Sequence, residues 1–106
     1  MARTLIHAPK TAARGEVIEI RTLIAHPMET GYRAGPEGRL LPRDILRRFT
    51  CRYDGEVVFA ADLHPAVAAN PYLAFRTVAT ATGTLTFTWE GDNGFVQTES
   101  QAITVT

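Results

Sequence analysis

At 106 residues the chain is read as one domain, residues 1–106, able to bury roughly 60% of its surface without help from a metal or a disulfide. Hydrophobic residues make up 45% and charged residues 21%, which excludes a disordered chain. Lys plus Arg equal Asp plus Glu at 11 each, so neither the basic excess of a nucleic-acid binder nor the basic cluster of a membrane anchor is present.

Apolar residues alternate with polar ones along most of the chain and no sustained helical period occurs, so the pattern predicts an all-β domain. A first short strand covers Thr4 to Ala8. A longer one, Glu16 to Ala25, sets Ile18, Ile20 and Ile24 on one face against Glu19 and Arg21 on the other. Glu29 to Arg43 then reads as a long polar loop punctuated by Gly31, Gly35, Pro36, Gly38 and Pro42. Alternation resumes from Arg47 to Tyr53, with Phe49, Cys51 and Tyr53 inward and Arg48, Thr50 and Arg52 outward. Asp54-Gly55 marks a tight hairpin onto Val57-Val58-Phe59, because a type I′ turn needs positive φ twice.

Leu63 to Pro71 is a crossover in which Pro65 to Ala69 has room for a turn or two of helix. Tyr72 to Ala79 is a further strand. Thr84 to Glu90 follows with Leu85, Phe87 and Trp89 inward, and Gly91 to Gly94 turns it onto Phe95 to Ser100, continued by Ala102 to Val105. About seven short strands around one Trp predict an immunoglobulin-like, two-sheet antiparallel β-sandwich.

Little in this chain suits catalysis. Its single cysteine, Cys51, excludes an internal disulfide and any zinc site needing two thiolates. On an inward strand face it reads as a buried thiol rather than a nucleophile. A blue-copper site needs His and Met soon after the Cys, whereas His64 lies thirteen residues on and no Met follows it. His26-Pro27 and His64-Pro65 each end an apolar run, where an imidazole commonly caps free backbone groups. No paired carboxylates, phosphate-cradling glycines or Ser-His-Asp order stand out. The expectation is therefore no catalytic residue, no cofactor and no metal. Arg39, Arg43, Arg47, Arg48 and Arg52 form a basic run that reads either as a docking patch or as a solvated face balanced by Glu37, Asp44 and Asp54.

Several motifs together resemble a known family. Gly15-Glu16-Val17-Ile18-Glu19-Ile20, His26-Pro27-Met28-Glu29-Thr30-Gly31, Arg48-Phe49-Thr50-Cys51 and Ala61-Asp62-Leu63-His64-Pro65 through Asn70-Pro71-Tyr72 are similar to SoxZ, one half of the SoxYZ carrier of bacterial thiosulfate oxidation. The resemblance runs over nearly the whole chain. It implies an immunoglobulin-like, non-catalytic subunit paired with SoxY, whose C-terminal Gly-Gly-Cys-Gly-Gly arm carries the sulfur intermediates, with transient docking of other Sox enzymes. This chain ends in Ala-Ile-Thr-Val-Thr, so Cys51 does not match the carrier cysteine.

Met1 to Pro9 holds no apolar run of secretory length, and Leu63 to Phe75 is broken by two prolines and is no membrane span. Taken alone this says cytoplasmic and soluble. The resemblance instead implies a periplasmic subunit exported folded with SoxY, without its own signal peptide. For the partner interface, the segments flanking the two His-Pro turns put forward His26, Met28, Tyr32, His64 and Tyr72. Two other classes stay open: a SoxYZ-like carrier serving a quinoprotein dehydrogenase, and a small metal-binding sandwich using His26, His64 and Met28. An isolated adhesion-type domain is a third.

Overall fold

The computed structural model describes residues 2–106, and eight strands carry the fold. They are β1 (Thr4–His7), β2 (Thr11–Ala12), β3 (Val17–Ile24), β4 (Leu46–Tyr53), β5 (Glu56–Asp62), β6 (Tyr72–Val78), β7 (Gly83–Gly91) and β8 (Val96–Val105). One sheet has the order β1-β3-β6 and the other β2-β8-β7-β4-β5. The expected sandwich is there, with two corrections to its description. The strand count rises to eight because β2, too short to show a period, joins the sheet. The sandwich is also not wholly antiparallel: β2 runs parallel to β8, with Thr11 opposite Thr104 and Ala12 opposite Val105.

Alternation places the core as expected. Ile18, Ile20 and Ile24 of β3 are buried beneath the facing sheet, and the buried Thr22 shares their face. From the other sheet come Phe49, Cys51, Leu85, Phe87 and Trp89, each at most 1% exposed. Phe49 is the aromatic hub, with ring centroids at 5.2 Å from Trp89, 5.8 Å from Phe75 and 6.2 Å from Phe59. Burying one such ring contributes about 1.5–3 kcal/mol, so this cluster holds the two sheets together. Thr50 departs from its expected outward setting and is buried. Strand β4 is interior to its sheet, and Thr50 sits mid-strand between Ala60 and Thr88.

The turn chemistry holds where the signal was strongest. Asp54 and Gly55 both take positive φ, 49° and 85°, and the Asp54 carboxylate accepts the Thr84 N–H at 2.9 Å. The Pro65–Ala69 helix does not form. That segment is a set of turns, with the Val67 N–H donating to the His64 carbonyl, because Pro65 and Pro71 leave too little chain for a helix.

The largest difference lies in residues 29–44. Instead of an irregular loop they form a hairpin-like arm, with bridges between Glu29 and Asp44 and between Ala34 and Leu40. The Leu41 N–H donates to the Arg33 carbonyl at 2.9 Å and the Gly35 N–H to the Arg39 carbonyl at 2.6 Å. Glycines and prolines spaced along both legs hide this pairing from a reading of alternation. The molecule measures 59 × 20 × 20 Å, and the arm is largely exposed.

Candidate partner-binding site

The first His-Pro turn is built from the inside. Strand β3 ends at Ile24, and the His26 N–H then donates to the Asn70 side-chain oxygen at 2.9 Å. Asn70 returns its own N–H to the His26 carbonyl at 2.8 Å, holding a left-handed φ of 55° that Asn tolerates better than most residues. The structure thus brings the His26 turn against the far end of the His64 segment.

Within the turn, His26 Nδ1 accepts the Met28 N–H at 3.0 Å, the backbone cap expected of it. Its Nε2 lies 3.6 Å from Asp44 Oδ1, and its ring meets Phe95 edge-on at 5.6 Å. Met28 is 4% exposed, and its sulfur accepts the Leu46 N–H at 3.2 Å. His26 and Met28 therefore form a buried latch joining the end of β3 to the start of β4, and the arm springs from it.

A second latch fastens the arm's return leg. Asp92, in the turn between β7 and β8, accepts Arg43 Nε at 2.8 Å and Arg43 Nη2 at 2.9 Å, and also the Ile45 N–H at 3.1 Å. Arg47 Nε approaches the same carboxylate at 3.5 Å. These donors, Arg43 foremost, hold the Asp92 carboxyl below the usual carboxylate range. In the same way the Arg33 guanidinium lowers Glu29 at the arm's base.

The five candidates therefore do not form one surface. His26 and Met28 are interior. Tyr32 stands 83% exposed on the arm, where Leu40 is also exposed. His64 is exposed in the β5–β6 connection, and its imidazole makes no hydrogen bond among the described residues, so the expected cap is absent there. Tyr72, 57% exposed, lies on the outer face of the three-stranded sheet, beside a shallow groove of about 430 Å³ shared with Leu5, Arg21 and Leu23.

Among the described residues, the side chains put forward for metal or nucleophilic chemistry do not converge. His26 spends one nitrogen on the Met28 backbone, Met28 points its sulfur at Leu46, and His64 stands apart. Among the described residues no three His, Cys, Asp or Glu side chains converge. Burial pushes the Cys51 thiol up to about 12, which makes thiolate scarce at physiological pH. The basic run is partly neutralised, but by other carboxylates than expected: Arg43 and Arg47 by Asp92, and Arg48 by Asp62 at 2.6 Å. Neither Asp92 nor Asp62 was anticipated, since one is distant in sequence and the other becomes a neighbour only through strand pairing.

Against known proteins, residues 6–102 match the family model described as sulphur oxidation protein SoxZ. No curated protein matches by sequence. Among solved structures, the superoxide reductase (neelaredoxin) from Ignicoccus hospitalis is similar at a TM-score of 0.76 and 15% identity, covering 99% of this chain and 82% of that one. The sulfur carrier protein SoxY from Chlorobium limicola f thiosulfatophilum is similar at a TM-score of 0.68 and 16% identity, covering 97% and 78%. At these identities the likeness is one of fold, the immunoglobulin-like sandwich.

Proposed function

This chain belongs to the SoxZ family of the Sox sulfur-oxidation system, generally a non-catalytic carrier subunit, and from that premise we propose that it is the supporting half of a SoxYZ heterodimer. The match over residues 6–102 is the observation that carries the reading. SoxY supplies the cysteine arm that holds the sulfur intermediates; this chain covers part of SoxY and presents surface to the enzymes that act on the arm. A core thiol pushed up to about 12 agrees with placing the covalent chemistry on the partner. The heterodimer works in the periplasm, reached by export of the folded pair, and other Sox enzymes dock transiently.

The test is to purify the tagged chain under mild conditions from its native cells grown on thiosulfate and to take intact masses. The reading expects an equimolar second protein ending in a Gly-rich cysteine arm, part of it heavier by sulfur-containing adducts, recovered from the periplasmic fraction. Recovery of the chain alone, as a monomer, overturns it.

A further inference from the structure

The outer faces of the two sheets are dressed differently. On the five-stranded sheet β7 and β8 turn Thr84, Thr86, Thr88, Thr98 and Ser100 outward, and the Thr88 and Thr98 hydroxyls share a hydrogen bond at 3.2 Å. That face is finished for water.

The three-stranded sheet has apolar ends instead. Its outward residues fall in rows across the strands: Leu5, Leu23 and Tyr72, then His7, Arg21 and Ala74, then Glu19 and Arg76, then Val17 and Val78. Leu5, Val17, Tyr72 and Val78 are between 43% and 63% exposed, and they are half of the exposed large hydrophobics among the described residues.

The rows are ordered about a centre. Along β3 the outward sequence is Val17, Glu19, Arg21, Leu23: apolar, acid, base, apolar. Stack two copies face to face across a two-fold axis that crosses β3 at the level of Ile20. Residue 17 of one copy then faces residue 23 of the other, and 19 faces 21, each pairing occurring twice. Val17 meets Leu23 and Glu19 meets Arg21. On β6, Val78 meets Tyr72, and Arg76 meets Ala74, which leaves room for the guanidinium. Within one copy Arg21 Nε already donates to Glu19 at 2.8 Å and Arg76 Nη2 lies 3.8 Å from the same carboxylate, so the facing charges extend an existing group.

We infer that the outer face of β1-β3-β6 seats a second copy of this chain, antiparallel on β3 about Ile20. Charge fixes the direction, because parallel stacking would set Arg21 on Arg21. The face spans roughly 20 by 15 Å, small beside a permanent interface, so the contact is reversible and depends on concentration. This pairing does not rest on the carrier reading.

The experiment follows self-association of the full chain by sedimentation over a concentration series, for the parent, Glu19→Arg, Arg21→Glu and an equimolar mixture of the two variants. Both side chains are largely solvent-facing, 40% and 53% exposed. Either variant alone opposes like charges twice and should weaken self-association about tenfold or more. Mixed, the pairs at 19 and 21 are opposite in sign again, and association should return to within about threefold of the parent, a rescue no folding defect can mimic. A parent that stays monomeric throughout, a dimer indifferent to both variants, or variants that mixing does not restore overturns the assignment. Binding of SoxY is measured beside it: if the variants release SoxY instead, the face belongs to that subunit and the second copy is excluded.

Discussion

The Arg43 guanidinium closes on the Asp92 carboxylate through two hydrogen bonds, 2.8 and 2.9 Å, between residues 49 apart in sequence. Two-point pairs of this kind add geometric definition that a single contact lacks. Because the same carboxylate also takes the Ile45 N–H, one side chain sets both the arm's return leg and the entry to β4.

Replacing that carboxylate should loosen the arm before the sandwich. Asp92→Asn is expected to speed amide exchange at Glu29, Leu41 and Asp44, whose N–H groups pair across the arm, while β7 amides keep their protection. The sign with pH follows from the lowered Asp92 carboxyl: its stabilisation is present above the ordinary carboxylate range and is lost as pH falls through the lowered value. Thermal melts should show the variant below the parent at neutral pH, with the gap narrowing in acid.

Tyr53 offers a second long-range test. Its hydroxyl accepts the Ala81 N–H at 3.2 Å and donates to the Ala81 carbonyl, fixing the passage from β6 to β7. Tyr53→Phe leaves the ring in place and both backbone groups without their partner. Urea unfolding should report a loss of about 1–3 kcal/mol.

Asn70 separates hydrogen bonding from backbone conformation. Asn70→Gly keeps access to the observed φ of 55° but loses the side-chain acceptor of the His26 N–H, whereas Asn70→Ala loses both that acceptor and easy access to the φ. Alanine should therefore be the more destabilising by about 1 kcal/mol in denaturant titrations.

Cys51 should be inert in the folded chain. With its thiol pushed up to about 12, an electrophile such as iodoacetamide at pH 8 should label it only at the rate of unfolding. A thiol raised in the folded state contributes stability that is complete below its unfolded value and is lost as pH rises toward the folded one. Alkaline titrations of stability should thus fall more steeply for the parent than for Cys51→Ala. In a reconstituted carrier, Cys51→Ala should leave sulfur loading on SoxY unchanged.

Alternation by itself determined the sandwich. Ile18, Ile20, Ile24, Phe49, Leu85, Phe87 and Trp89 lie on the face their period assigns, because in a strand the side chain's direction follows from its position alone. The Asp54-Gly55 turn was legible for an equally local reason, since few pairs accept two positive φ values. The family too was legible, because its motifs are contiguous runs of residues.

Only the tertiary structure decided what each polar side chain serves. His26 and Met28 look like surface residues after a strand, yet Asn70 and Leu46, 44 and 18 residues away, make them interior. The arm was hidden because its pairing joins residues through backbone groups, which side-chain periodicity does not record. The place of β5 at the end of its sheet among the described residues is likewise a fact of sheet order: a run such as Val57 to Ala61 reads the same at an edge or in a centre, and its neighbours are chosen by how the whole chain closes.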